Sequence, residues 1–174
     1  YMRDTTNNPN SYPPFHIYLL KIDTNLSYSV IMNLADSSTA YMVAEHLNSD
    51  SKNNIYITGS NNKLHNGVPE RTLQPFIIKV DTSGNLLSQK YFPIINVPNV
   101  RAGDPIINNN NLFMTLYGDS LMYIGCASPV NNIRTINYLL RLDSACNLIA
   151  STNYSDSNAL IASTILYNDR FYNC

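Results

Sequence analysis

Glu45 and His46 stand side by side in the apolar run "VAEHL" at 43–47. A carboxylate next to an imidazole is a pair that could transfer protons in catalysis. Because successive side chains of a strand point to opposite faces, only one of the two should face inward. The same residues also suit a solvated or hydrogen-bonded lining without chemistry, and we adopt that structural interpretation over a catalytic Glu/His pair.

A second group of polar residues lies in long stretches that lack strand patterns, at 6–14, 61–74, 93–111 and 128–136. Long loops tolerate variation and carry binding residues in many folds. If the strands between them are antiparallel, these loops gather on one face, which we call the long-loop face. The ligand-binding candidates there are His65, Glu70, Arg71, Arg101 and Asp104. The alternative is that all five are solvated loop residues.

Motifs for metal, cofactor or nucleophilic chemistry are missing from the sequence. The three cysteines form no C-x-x-C pair and stand at no zinc-ligand spacing from histidine. There is neither a G-x-S-x-G elbow nor a P-loop. We therefore predict no catalytic residue, no metal and no cofactor. Cys126 and Cys146 should lie at opposite ends of a strand, beyond disulfide reach, so we expect free thiols.

Charge and hydropathy exclude two classes of partner. The net charge is −1 over 174 residues, so the chain lacks the basic stripe that a nucleic-acid binder needs. The longest apolar runs are too short to span a bilayer. No signal peptide is visible and residue 1 is Tyr, from which we expect a mature fragment or a part of something longer.

Asn-, Ser-, Gly- and Pro-rich clusters separate short β-branched and aromatic runs, which predicts an all-β chain. One run recurs three times: "LLKID" at 19–23, "IIKVD" at 77–81 and "LLRLD" at 139–143. Two further anchors give four strands per repeat, A to D. We predict A strands at 41–48, 112–118 and 160–167, B strands at 54–60, 121–127 and 170–174, C strands at 15–23, 75–81 and 137–143, and D strands at 27–33, 86–92 and 148–154. The repeat units are 1–33 (partial), 41–92, 112–154 and 160–174 (partial), within one domain, 1–174.

The recurring aspartates Asp23, Asp81 and Asp143 precede the turn between strands C and D, so we assign them a structural turn role. Aspartate at the first turn position accepts bonds from backbone N–H groups two residues on. In "DTSGN" Gly84 supplies a positive φ. The third copy has Cys146 in that place, so we expect Asn147 to take the left-handed conformation. The first copy, "DTNLS", lacks glycine and should turn differently.

The segment "NNIYITGS" followed by "PFIIKVDTSGNLLSQKYF" resembles the bacterial β-propeller repeat family. The likeness covers most of the chain as repeats, is strongest at 53–92, and lacks the family's outer-strand Trp, with Ser88 near that place. The resemblance implies four-stranded antiparallel blades and an exported or surface protein of the Bacteroidota type. It says almost nothing about activity.

About three blades cannot close a ring, since single-chain propellers need at least four. We therefore expect a segment of a larger propeller, with further blades or another chain covering apolar faces at both ends. Those faces should carry Tyr18, Leu20 and Ile22 on one side and Ile161 and Ile165 on the other. The predicted function is non-catalytic, extracellular adhesion or protein–protein binding, with a protein or glycan ligand at the long-loop face. The alternatives are the propeller part of an extracellular carbohydrate-active enzyme and a structural subunit of a larger surface assembly.

Overall fold

The structure is a computed structural model that describes residues 15–36, 39–65, 68–92, 99–108, 111–119, 135–153, 164–167 and 170–173. Within these ranges the chain forms twelve strands and no helix. The strands are β1 (Phe15–Ile22), β2 (Tyr28–Asp36), β3 (Thr39–Ser49), β4 (Ile55–His65), β5 (Val68–Val80), β6 (Leu86–Tyr91), β7 (Asn99–Asn108), β8 (Asn111–Asp119), β9 (Thr135–Leu142), β10 (Leu148–Asn153), β11 (Thr164–Tyr167) and β12 (Arg170–Asn173). The predicted all-β class is confirmed.

Eight of these strands form two antiparallel sheets of four, each strand pairing with the next along the chain. The first sheet consists of β3, β4, β5 and β6, and the second of β7, β8, β9 and β10. A single parallel bridge between Leu73 of β5 and Asn99 of β7 joins them. Four-stranded antiparallel sheets in chain order are what the repeat predicted.

Two hairpins flank the sheets: β1 pairs with β2, and β11 pairs with β12. Strand β3 lies beside β7, and β7 lies beside β11. The leading strands of successive sheets are therefore neighbours, and we call β3 and β7 the inner strands. No closed ring of sheets forms among the described residues. The same residues include no helix long and apolar enough to cross a membrane.

Three predicted assignments are wrong. The stretch 93–111, predicted as a loop, contains β7, and the predicted loop 61–74 continues β4 and β5 as a longer hairpin in which His65 pairs with Val68. In the second sheet β8 pairs directly with β9, so residues 111–119 take the place of the B strand. The stretch 121–127, to which we had assigned that strand, lies outside the described residues.

The core explains why strand β5 is apolar on both faces. Phe76, Ile77, Ile78 and Val80 are all fully buried. Ile77 packs towards the second sheet, in a cluster that includes Met114 and Leu142. Phe76, Ile78 and Val80 face the other way, in a cluster with Ile17, Leu19 and Met32 of the β1–β2 hairpin. The first sheet thus lies between the β1–β2 hairpin and the second sheet, and its central strands have no solvent-facing side.

Four turns within the described ranges share one geometry, and they begin at Asp23, Asp50, Asp81 and Asp143. In each turn the aspartate Oδ1 accepts the backbone N–H groups two and four residues on, at 2.8 to 2.9 Å. The backbone N–H of the residue three positions after the aspartate donates to the aspartate backbone carbonyl. The bonds predicted for Asp81 and Asp143 are present. The turn at Asp50 joins β3 to β4 and was not anticipated as a member of this set.

The residue three positions after each aspartate has a positive φ: 63° at Leu26, 62° at Asn53, 83° at Gly84 and 64° at Cys146. Two expectations are therefore wrong. The first copy turns in the same way as the others although it lacks glycine, and Cys146 itself, not Asn147, is left-handed. The aspartate bonds and strand pairing hold these residues in a conformation that L-residues disfavour.

Cys146 is a buried free thiol, and burial raises its pKa. Cys126 lies outside the described residues. The rest of the Cys146 turn contacts the first sheet, because Lys79 Nζ donates to the Ser144 carbonyl at 2.8 Å and Ser88 Oγ donates to the Ala145 carbonyl at 2.7 Å. The turn therefore anchors the second sheet on the first.

Candidate functional site: a polar cluster between the inner strands

Both inner strands contain a β-bulge where they approach each other. The register of β3 against β4 shifts between Ala44 and His46, and that of β7 against β8 shifts between Ala102 and Pro105. Glu45 therefore lies in the first bulge and Asp104 in the second. A bulge bends its strand and redirects side chains, which places acidic residues from both sheets in the same region.

Hydrogen bonds from side chains of β3 and β4 to backbone carbonyls of β7 hold the first sheet against the second. Thr58 Oγ1 donates to the Gly103 carbonyl at 2.8 Å, and Asn48 Nδ2 donates to the Pro105 carbonyl at 2.9 Å. Gly103 has no room for a side chain, since an added Cβ would lie 2.1 Å from Thr115 Oγ1. These contacts position the polar groups that surround the bulges.

The first of two ion pairs joins Arg101 of β7 to Glu45 of β3. Arg101 Nη1 lies 3.1 Å from Glu45 Oε1. The other carboxylate oxygen of Glu45 accepts a hydrogen bond from Ser60 Oγ at 3.3 Å. Glu45 is 14% exposed, whereas Arg101 is 54% exposed. Both oxygens of the largely covered Glu45 carboxylate therefore have a partner, and the guanidinium still presents donors to solvent.

The second pair runs in the opposite sense, from His46 of β3 to Asp104 of β7. His46 Nδ1 lies 2.8 Å from Asp104 Oδ1, with side chains 25% and 49% exposed. Each sheet thus supplies one acid and one base to the contact. The pairs cross between the sheets, so separating the sheets would break both.

Tyr117 of β8 adds a phenol to this group, and it pairs with Arg101 across the strands. Burial raises the pKa of Tyr117, and the negative charges of Glu45 and Asp104 raise it further, against the opposing effect of Arg101. The phenol therefore stays protonated at neutral pH and can both donate and accept a hydrogen bond. We define the inner-strand cluster as Glu45, His46, Ser60, Arg101, Asp104 and Tyr117.

The arrangement favours binding over acid–base catalysis. Each carboxylate of the cluster already contacts a basic side chain of the other sheet, Glu45 with Arg101 and Asp104 with His46. The exposed guanidinium and carboxylate and the half-buried phenol suit hydrogen bonding to a polar ligand. No group of three or more metal-ligating side chains occurs in the part of the chain that the structure describes.

The structure places in strands the residues that we predicted on the long-loop face. Arg101 and Asp104 lie in β7 and not in a loop, and they join Glu45 and His46 of β3. His65 ends β4, while Glu70 and Arg71 lie in β5. The side chains of these last three are outside the described residues. The loop position expected for these residues is therefore wrong, and their role in binding stays a prediction.

Sequence reasoning missed Ser60 and Tyr117, although a signal for them was available. The segments "NNIYITGS" at 53–60 and "NNLFMTLYG" at 110–118 share two asparagines, three consecutive apolar residues and a threonine. Aligned on Thr58 and Thr115, they identify β8 as the counterpart of β4. That alignment would have placed β7 beside β3, and Tyr117 next to the bulge.

Comparison with known proteins adds no assignment. The chain matches no protein-family model and no curated protein.

Proposed function

We propose that this chain is a non-catalytic β-propeller segment that acts outside the cell in adhesion or protein–protein binding. Two stacked four-stranded antiparallel sheets with adjacent leading strands support the propeller arrangement. The sequence resemblance to exported repeat proteins supports the location. In this proposal further four-stranded sheets, from more of the same protein or from another chain, complete the ring.

The observation that carries the binding role is the pairing within the inner-strand cluster. Arg101 and Asp104 are each about half exposed but belong to different ion pairs. A ligand with hydroxyl, amide or carboxylate groups can bond to the free faces of these side chains without unpairing a buried charge. The pairs hold the groups in place, so little side-chain freedom is lost on binding.

The ligand in this proposal is a protein or a glycan, because both present dense hydrogen-bonding groups and neither needs a metal or a cofactor. Its contact surface differs from the one that the sequence indicated. The inner-strand cluster replaces the long-loop face as the binding surface, since the two candidates with described side chains, Arg101 and Asp104, lie there.

The test is a binding screen of the purified chain against immobilised glycans and extracellular-matrix proteins, followed by variants. Arg101→Gln removes the exposed cation at the cluster and should weaken a genuine interaction about tenfold or more, as loss of a charge-assisted hydrogen bond does. Arg141→Gln is the matched control, because Arg141 is exposed and bonds to Asn111, away from the cluster.

Two outcomes would contradict the proposal. One is a bound ligand whose affinity is unchanged in Arg101→Gln. The other is hydrolysis of chromogenic glycosides that disappears in Glu45→Gln while the variant stays folded, which would assign the enzyme alternative instead.

A further inference from the structure

An open space lies between the two sheets, on the side away from the inner strands. It is a cleft of about 640 Å³ between β6 of the first sheet and β9 and β10 of the second. Its volume is in the range of small-molecule sites. The lining residues that matter here are Lys90, Phe92, Leu116, Tyr138, Leu140 and Leu148.

The floor and walls of this cleft are apolar. Leu116 and Leu140 are buried at its base, while Phe92 and Tyr138 pack against the same core from the sides. Leu148 stands at the rim and is 53% exposed. Aromatic and aliphatic walls with few polar groups are typical of sites for the apolar body of a small ligand.

One charge marks the cleft. Lys90 is half-buried and lines the cleft. Among the described residues Lys90 makes no hydrogen bond or ion pair. The neighbouring charges are already engaged, since Asp143 accepts bonds within its turn and Lys79 donates to the Ser144 carbonyl. Among the described residues that line the cleft, Lys90 is thus the cation that can bind an anion from solution.

We propose that this cleft binds a small amphipathic anion, an aromatic or medium-chain carboxylate, with its apolar body against Phe92, Tyr138 and Leu148 and its carboxylate on Lys90. The positive charge of Lys90 favours an anion. The apolar wall favours an anion with an apolar body over a small inorganic ion. This site is separate from the inner-strand cluster and does not depend on the proposed function.

The experiment is calorimetric titration of the whole chain with two matched probes, 2-naphthoate and its neutral analogue 2-naphthamide. One molecule should bind per chain, and the carboxylate should bind about tenfold more tightly than the amide, as expected for a charge-assisted hydrogen bond. Lys90→Met should abolish this preference while leaving the binding of 2-naphthamide unchanged. Lys21→Met, at an exposed lysine in β1, is the charge-matched control.

A second variant tests the place of the ligand without touching the core. Leu148→Glu puts a negative charge on the rim and should weaken 2-naphthoate about tenfold. Leu86→Glu is its control, because Leu86 begins β6 as Leu148 begins β10, is similarly exposed and does not line the cleft. Equal affinity for the two probes in the unmodified chain, or an unchanged preference in Lys90→Met, would overturn the proposal.

Discussion

Arg101 Nη1 lies 3.1 Å from Glu45 Oε1 and joins the inner strands of two successive sheets. The two partners differ in burial, with Glu45 mostly covered and Arg101 half in solvent. This asymmetry matters because an ion left unpaired is costly only where water cannot reach it. The pair therefore gives a prediction in which the two single variants behave differently.

Arg101→Gln should lower the free energy of unfolding by about 1–3 kcal/mol, because it leaves the largely covered Glu45 carboxylate without its cation. Glu45→Gln should cost less than about 1 kcal/mol, since the exposed guanidinium is hydrated by solvent. Urea unfolding of both variants and of the double variant measures this difference. A double variant that is less stable than Arg101→Gln would contradict the assignment.

The shared aspartate turns predict an acid dependence of stability. Hydrogen bonds from the Asn85 side chain and from backbone N–H groups hold the pKa of Asp81 below its ordinary value of 3.8, and Asn147 has the same effect on Asp143. A carboxyl with a lowered pKa in the folded state contributes stability above its unfolded pKa and loses it as the pH falls through the folded value. The thermal midpoint should therefore decrease as the pH is lowered from about 5 to about 2.

In the variants Asp81→Asn and Asp143→Asn that decrease should be smaller, because one titrating group has been removed. Each variant should also unfold at a lower temperature than the unmodified chain at neutral pH, because there the ionised carboxylate makes its full contribution to stability. Thermal scans monitored by circular dichroism at several pH values measure both effects. An acid slope identical in all three proteins would show that these carboxylates do not titrate abnormally.

Leu26 is the best position at which to test backbone strain. Its φ is 63°, and its side chain is 83% exposed, so glycine would relieve the backbone without removing a buried contact. Leu26→Gly should raise the free energy of unfolding by about 1 kcal/mol. Cys146→Gly should bring less or no gain, because its fully buried side chain would be lost.

Gly84→Ala is the control for the same turn geometry, and its expected effect on stability is opposite to that of Leu26→Gly. An added Cβ would lie 1.7 Å from the Ile31 carbonyl oxygen, and its φ of 83° disfavours alanine. This variant should be clearly destabilised in the same urea experiment. A stabilising Gly84→Ala, or a destabilising Leu26→Gly, would show that the left-handed positions are assigned wrongly.

The sequence predicted the sheets better than it predicted the site, for reasons that can be located in β7. Within "RAGDPII" at 101–107, Gly103, Asp104 and Pro105 all favour loops. In the structure they form a bulge, which is one of the few places in a sheet that tolerates proline. The same residues therefore made β7 look like a loop in the sequence and form the bulge that positions the inner-strand cluster.

The extended β4–β5 hairpin was missed for a related reason. Asn66-Gly67 stands between His65 and Val68, which pair with each other, and such a dipeptide is a strong hairpin signal. Pro69 and the polar residues around it obscure that signal, because proline within a run argues against a strand. By contrast, the aspartate turns were predictable because their hydrogen bonds are local and depend on residue type at fixed spacing.

The last prediction concerns the β1–β2 hairpin, whose outer face is an apolar patch. Five large side chains, between 48% and 73% exposed, share it: Tyr18, Leu20, Ile22, Tyr28 and Val30. Cross-strand pairs connect them, Leu20 with Val30 and Ile22 with Tyr28. The exposure predicted for Tyr18, Leu20 and Ile22 is confirmed, and Ile161 and Ile165, named for the other end, have no described side chain.

The repeat shows what covers such a face elsewhere in the molecule. Leu20 and Ile22 correspond to Ile78 and Val80 of the first sheet, which are fully buried by the β1–β2 hairpin itself. A free face of this size attracts another apolar surface. The chain on its own should therefore self-associate as its concentration rises, as measured by light scattering and analytical ultracentrifugation.

The double variant Leu20→Lys/Ile22→Lys places two charges at the centre of the patch and should stay monomeric over the same concentrations. It should keep its thermal midpoint within a few degrees, because both side chains are already exposed. Leu86→Lys/Leu87→Lys is the control, since those leucines are equally exposed but lie in β6, away from the patch. If the unmodified chain is a monomer at every concentration, or if the two double variants behave alike, the patch is not a docking face and the proposal of a larger ring loses its support.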